Sequence, residues 1–144
     1  MKLERYLNIK FGNNDKSLKC ILYMLRRSLG ASSFTLFWRN WNPLWSYFLL
    51  YYVYKPLSSL INKKLANFLT FVISGFLHDC VAMLLMLKPS YVMTSTFTLF
   101  AVLIVIENRF NINLRQASEL TRATYQLTAL TITILPVLIF FRLI

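Results

Sequence analysis

Four apolar runs separated by short polar joints dominate the chain after Asn40. They cover about 44–60, 65–87, 91–106 and 123–144. A bilayer core about 30 Å thick takes about 20 helical residues. The pattern therefore predicts an all-α, polytopic integral membrane protein with about four transmembrane helices. Asn62-Lys63-Lys64 and Lys88-Pro89 are the short joints, and residues 107–122 read as a longer solvated or interfacial stretch, partly helical. Pro56 bounds or kinks the first helix, and Pro136 kinks the fourth without preventing it. Ahead of these runs the pattern changes. Leu18, Ile21, Leu22, Leu25 and Leu29 recur at helical spacing, with Lys19, Arg26 and Arg27 largely off that stripe. This predicts an N-terminal amphipathic helix lying in the membrane interface. Gly30-Ala31-Ser32-Ser33 ends it, and Gly12-Asn13-Asn14-Asp15 reads as a turn. The whole chain, 1–144, is read as one membrane domain. Its residues 1–40 form a basic interfacial lead-in, and 41–144 carry the membrane helices.

Composition supports this reading, because 57% of the residues are hydrophobic, above the 45–50% or so of soluble domains. Trp38, Trp41 and Trp45, with Tyr47, Tyr51, Tyr52 and Tyr54, read as an aromatic belt at the headgroup boundary. The segment before Cys20 is polar and charged, which predicts insertion through an internal helix rather than a cleaved signal. Net charge is +11, and eight of the sixteen basic residues precede Trp41. In such a protein, basic segments meet anionic headgroups, so membrane lipids are the expected partners and nucleic acid is not. With four crossings, the side holding the lead-in would carry ten basic residues, including Lys88 and Arg142. The other would carry six: Lys55, Lys63, Lys64, Arg109, Arg115 and Arg122. The bias predicts that the N-terminus and the C-terminal end are both cytoplasmic. A bacterial inner membrane fits the low cysteine content and basic character.

Candidate chemistry lies in two segments. His78, the only histidine, stands beside Asp79 in the middle of the second run. Ionisable groups at membrane depth are costly and mark functional sites by default. A histidine packed against a backbone carbonyl is the structural alternative. Imidazoles titrate near neutrality and suit general-base work. The neighbours of His78 at helical spacing, Ser74, Gly75 and Ala82, are small, so another helix can approach closely. Asp79 points about 100° away on the helix, where Arg39 or Lys55 are possible charge partners. Asn42 can donate to an oxyanion or orient an acyl donor. It can equally form an Asx turn that starts a helix at Pro43. Arg39, Arg26 and Arg27 are candidates for an acyl donor's phosphates. One histidine and two widely separated cysteines, Cys20 and Cys80, make no metal ligand set. A channel subunit would need polar residues along several helices. Beyond the second helix, Thr94, Ser95, Thr96, Thr128, Thr131 and Thr133 are the ones available, and intramembrane threonines often bond their own backbone.

Phe37-Trp38-Arg39-Asn40-Trp41-Asn42-Pro43, followed by Tyr52-Val53-Tyr54-Lys55-Pro56-Leu57, resembles the "FWRxWN…YVYxPL" block of membrane-bound O-acyltransferases. The segment from Asn67 through Ser74-Gly75-Phe76-Leu77-His78-Asp79 resembles that family's "TFxxSGxxHG" block. The two stand in the family's order over about residues 34–82, the family's C-terminal catalytic part. Asp79 departs from the family's usual glycine. The resemblance implies acyl transfer from a thioester such as acyl-CoA, a co-substrate rather than a bound cofactor, to a hydroxyl of an envelope polysaccharide, lipid or peptide. It implies that His78 is the base and Asn42 the second active-site residue. Members are usually much longer, with further membrane helices ahead of the first block, whereas here that block begins at Phe37. A homo-oligomer or a partner membrane subunit is therefore expected. A non-catalytic remnant or a helix-packing subunit of a split acyltransferase is the alternative.

Overall fold

The computed structural model describes residues 2–11 and 18–143. The expected turn at Gly12-Asn13-Asn14-Asp15 lies outside them. Regular structure among the described residues is helical: α1 (Leu3–Phe11), α2 (Leu18–Leu29), α3 (Phe34–Asn40), α4 (Pro43–Phe48), a π-helical stretch (Leu49–Tyr54), α5 (Lys55–Leu60), α6 (Lys63–Met86), α7 (Val92–Arg109) and α8 (Glu119–Leu143). Three of these, α6, α7 and α8, are long and apolar enough to cross a membrane. They leave Leu84, Leu85, Val105, Leu138 and Phe140 exposed, as a lipid-facing surface requires.

Local chemistry sets the boundaries. Asn62 starts α6 by accepting the Leu65 N–H on its side-chain oxygen at 2.9 Å, a normal N-cap. Leu87 ends it in the left-handed conformation, its N–H on the Met83 carbonyl. α7 has no side-chain cap from its own N-cap residue, Tyr91. Asp79 of α6 supplies one. Its carboxylate accepts the N–H groups of Met93 (3.0 Å) and Thr94 (2.7 Å) and the hydroxyls of Ser90 and Thr94. The buried Asp79 thus finds its partners at a helix N-terminus, where negative charge is favoured, and the expected pairing with Arg39 or Lys55 is replaced. Gly75 lets the two helices close, since a Cβ there would lie 2.6 Å from the Met93 carbonyl oxygen.

α7 continues past Ile106, so Glu107 belongs to the helix and not to the solvated stretch. It is buried and caps α3, accepting the N–H groups of Phe34 and Thr35, the Thr35 hydroxyl and the Tyr125 hydroxyl. A core of Phe34, Phe37, Phe100, Ile104, Ala31 and Ala129 fills the space between α3, α7 and α8.

The expected first crossing, 44–60, is helical from Pro43 to Leu60, but its path differs from a crossing. α3 starts beside Glu107, near the end of α7. The chain turns at Asn42, α4 meets the middle of α6 through Trp45 and Ser74, and α5 returns to the start of α6 at Lys63. Residues 34–60 thus form a re-entrant hairpin. Irregular backbone of this kind is tolerated at membrane depth where protein or a cavity surrounds it. Pro56 explains the π-helical stretch. Its ring would crowd the carbonyl four residues back, and the wider turn, with the Lys55 N–H reaching the Leu50 carbonyl, relieves this.

The side assignment changes as a result. Ser32 accepts the Leu114 N–H on its carbonyl at 2.8 Å and Arg26 pairs with Glu119, so the lead-in shares an end with residues 107–122 instead of opposing them. Lys63, Lys64, Arg109, Arg115 and Arg122 lie at that end, while Lys88 and Arg142 lie at the other. Along the series α6, α7 and α8, the C-terminal end of α8 lies opposite the lead-in.

Candidate functional site

The re-entrant hairpin and α6, with Tyr6 of α1 and Phe97 and Ile104 of α7, line a half-open cavity of about 550 Å³. Trp38, Trp41, Trp45, Leu49, Phe71 and Phe97 give it an apolar wall. The three tryptophans expected in an interfacial belt therefore line this cavity. Arg39, Asn42 and His78 line it too, so the two sequence blocks meet in one site. Arg26 and Arg27 do not reach it. They border a shallow depression of about 290 Å³ with Tyr23, Gly30 and Glu119, and Arg26 lies 3.7 Å from Glu119 with both side chains exposed.

His78 is half-buried between two rings. Phe97 stacks on it at 5.2 Å, and Trp45 meets it edge-on at 5.1 Å. Its Nδ1 lies 2.7 Å from the Ser74 carbonyl oxygen. A carbonyl only accepts, so Nδ1 carries the hydrogen, and in the neutral ring Nε2 keeps its lone pair. The packing alternative, a histidine bonded to a backbone carbonyl, is thus realised at one nitrogen. The other has no hydrogen-bond partner among the described residues and is chemically able to accept a proton.

Asn42 shows the same division. It is the N-cap of α4, with Pro43 in the first turn and φ at 40°, in the left-handed region. Asparagine tolerates this conformation better than most residues. Its side-chain oxygen accepts the Trp45 N–H at 3.2 Å. Only the oxygen can serve as that acceptor, so the amide N–H groups remain for another partner. The Asx turn and a donor role coexist.

Sequence reasoning missed the part played by Trp45 and Ser74. The indole N–H of Trp45 donates to the Ser74 hydroxyl oxygen at 2.9 Å, on the same residue whose carbonyl holds His78. Ser74 was legible only as a small residue. Asp79, adjacent to His78 in sequence, stands outside the cavity wall, and so does Glu107. Among the described residues no cluster of three His, Cys, Asp or Glu side chains forms. Several intramembrane threonines return their hydroxyls to their own helices: Thr70 to Ala66, Thr96 to Val92, Thr131 to Leu127 and Thr133 to Ala129.

An aromatic cavity among apolar helices, with one bare imidazole nitrogen and one spare amide on its wall, marks a polytopic membrane protein with an embedded polar site. The chain belongs to the membrane-bound O-acyltransferase family, whose model matches residues 22–141. Over 52 residues, 36% of this chain, it is 46% identical to "Probable sterol O-acyltransferase 2" of Schizosaccharomyces pombe. The match covers 11% of that protein's length. No solved structure matches the chain.

Proposed function

We propose that this chain carries the site of a membrane O-acyltransferase that moves an acyl group from a thioester such as acyl-CoA to the hydroxyl of a lipid. The observation that carries the reading is the shared cavity, with His78 and Asn42 on its wall and Nε2 of His78 without a hydrogen-bond partner among the described residues. Nε2 takes the proton of the acceptor hydroxyl as its oxygen attacks the thioester carbonyl. The Asn42 amide donates to the oxyanion that forms. The tetrahedral adduct collapses, the carbon–sulfur bond breaks, and the thiolate leaves with the proton held by His78. The products are an ester and a free thiol.

Among polysaccharide, peptide and lipid acceptors, a lipid fits the apolar lining best. The Schizosaccharomyces pombe relative, whose name refers to a sterol, points the same way. Arg39 at the cavity faces the donor's phosphates. Arg26 and Arg27, on a separate surface, face anionic headgroups. A second copy or a partner membrane subunit completes the chamber wall beside the exposed Asn42. The basic end of the bundle faces the cytoplasm, which makes the N-terminus cytoplasmic.

The test uses the full chain in membranes given a radiolabelled long-chain acyl-CoA and, separately, a sterol, a diacylglycerol or a polysaccharide acceptor. Base-labile ester on a lipid acceptor with wild type, absent with His78→Ala at equal membrane level, is the expected result. Equal ester in both strains overturns the role of His78, and ester confined to the polysaccharide overturns the lipid assignment.

A further inference from the structure

The two candidate reacting groups lie on different elements, and one residue connects them. Asn42 precedes α4, a helix of six residues, while His78 lies well inside α6. The backbone N–H of Trp45 holds the Asn42 side chain at 3.2 Å, and its indole N–H holds Ser74 at 2.9 Å. Ser74 in turn holds His78 through its carbonyl, and the indole also meets the imidazole edge-on.

α4 runs through the π-helical stretch into α5 as one helical segment, Pro43 to Leu60, and it packs on α1 through Tyr47 and Tyr6. Neither of these is a directed bond to the part of α6 that carries the imidazole. The Trp45–Ser74 bond is a polar tie from α4 to the turn of α6 that carries the imidazole. In an apolar cavity such a bond is directional where packing is not, and it fixes how α4 is rotated against α6. That rotation decides where the Asn42 amide stands relative to Nε2 of His78.

We infer that Trp45 is a positioning residue that sets the geometry between Asn42 and His78 through its hydrogen bond to Ser74. The inference rests on the acyl-transfer reading for its kinetic consequences, but the geometry has a readout of its own. Trp45→Phe keeps an aromatic ring against His78 and removes the indole donor. Ser74→Ala removes the acceptor, and Ser74→Thr restores a hydroxyl.

Because the chain has a single histidine, ¹⁵N-histidine labelling of the full chain in lipid nanodiscs gives one imidazole to observe. Wild type is expected to show one neutral Nδ1–H form. Trp45→Phe and Ser74→Ala are expected to shift and broaden the Nε2 resonance as the ring samples more than one surrounding, and Ser74→Thr to return it toward wild type. In the ester assay, each of the two disrupting variants lowers kcat by on the order of tenfold to a hundredfold, as small misplacements do. KM for the acyl thioester stays within about twofold, and the double variant is no worse than either single one, since both remove one interaction. An Nε2 resonance unchanged in both variants overturns the proposal whether or not the chain makes ester. A loss carried by KM, or effects that multiply in the double variant, also overturns it. If wild type makes no ester, the acyl-transfer reading falls and the imidazole spectrum alone decides the role of Trp45.

Discussion

Asp79 and Glu107 are two buried carboxylates that do similar work at opposite ends of α7. Each accepts two backbone N–H groups from the first turn of a helix it does not belong to, and each adds hydroxyl donors. Their clients differ. Asp79 caps α7, which is 18 residues long and locked to α6 at Gly75. Glu107 caps α3, a helix of 7 residues that starts the re-entrant hairpin. A long helix locked along its length loses only its first turn without its cap, whereas a short one is held by its cap together with its core side chains, here Phe34 and Phe37. The acid beside the histidine in sequence is therefore the less consequential of the two for the cavity. The acid at the far end of α7 carries the wall that bears Trp38, Trp41 and Asn42.

The largest effect that would sharpen this contrast is expected from Glu107→Ala. It strands four donors and should destabilise the protein by on the order of 3–5 kcal/mol. Denaturant titration followed by tryptophan emission should show the hairpin exposed early. A wild-type midpoint would break the comparison. Asp79→Asn keeps one acceptor oxygen and should cost about 1–3 kcal/mol in thermal stability, while the imidazole resonance of His78 stays as in wild type. Loss of the Nδ1–H signal in that variant would instead make Asp79 a support of His78. Gly75→Ala presses a methyl group against the Met93 carbonyl and should cost about 1–3 kcal/mol, with parallel loss of ester formation as α6 and α7 part. Smallest is Ser33→Ala. Ser33 accepts the Leu36 N–H at 3.1 Å, and its loss should cost about 0.5–1 kcal/mol, because Glu107 already holds the other N–H groups of that turn. A drop as large as that of Glu107→Ala would show that the local cap, not the distant one, governs α3.

Much of this was readable from spacing. The runs that became α6, α7 and α8 were visible as apolar stretches, the amphipathic α2 as a stripe, and the break at Gly30-Ala31-Ser32-Ser33 as turn chemistry. Asn42 and His78 were found as polar residues in unusual company. Hydropathy measures length and apolarity, not direction, so a segment that enters and returns reads like one that crosses. Pro43 and Pro56, one near each end of that segment, were the available signs of a broken path. The caps were illegible for another reason. A hydrogen bond between Glu107 and Phe34, 73 residues apart, leaves no periodic mark. Glu107 at the end of an apolar run, next to Asn108 and Arg109, looks like a solvated joint until α3 is seen against it. Trp45 was likewise hidden among tryptophans and tyrosines that resemble a headgroup belt.

The wide turn at Leu49–Tyr54 makes the number of residues, and not only their identity, a determinant of the site. A π turn stores one residue beyond what an α-helix would use, so the helical phase across it is that of a segment one residue shorter. Deleting one residue from this segment would use up the stored residue and leave ordinary α-helix, with α4 and α5 still in phase and the Trp45 indole still facing Ser74. Inserting one residue, which the bulge has no room to take up, would rotate α4 against α5 by about 100° and swing the Trp45 indole off Ser74. The segment thus behaves as a spatial reading frame for the cavity, tolerant of substitution and of a one-residue loss but not of a gain.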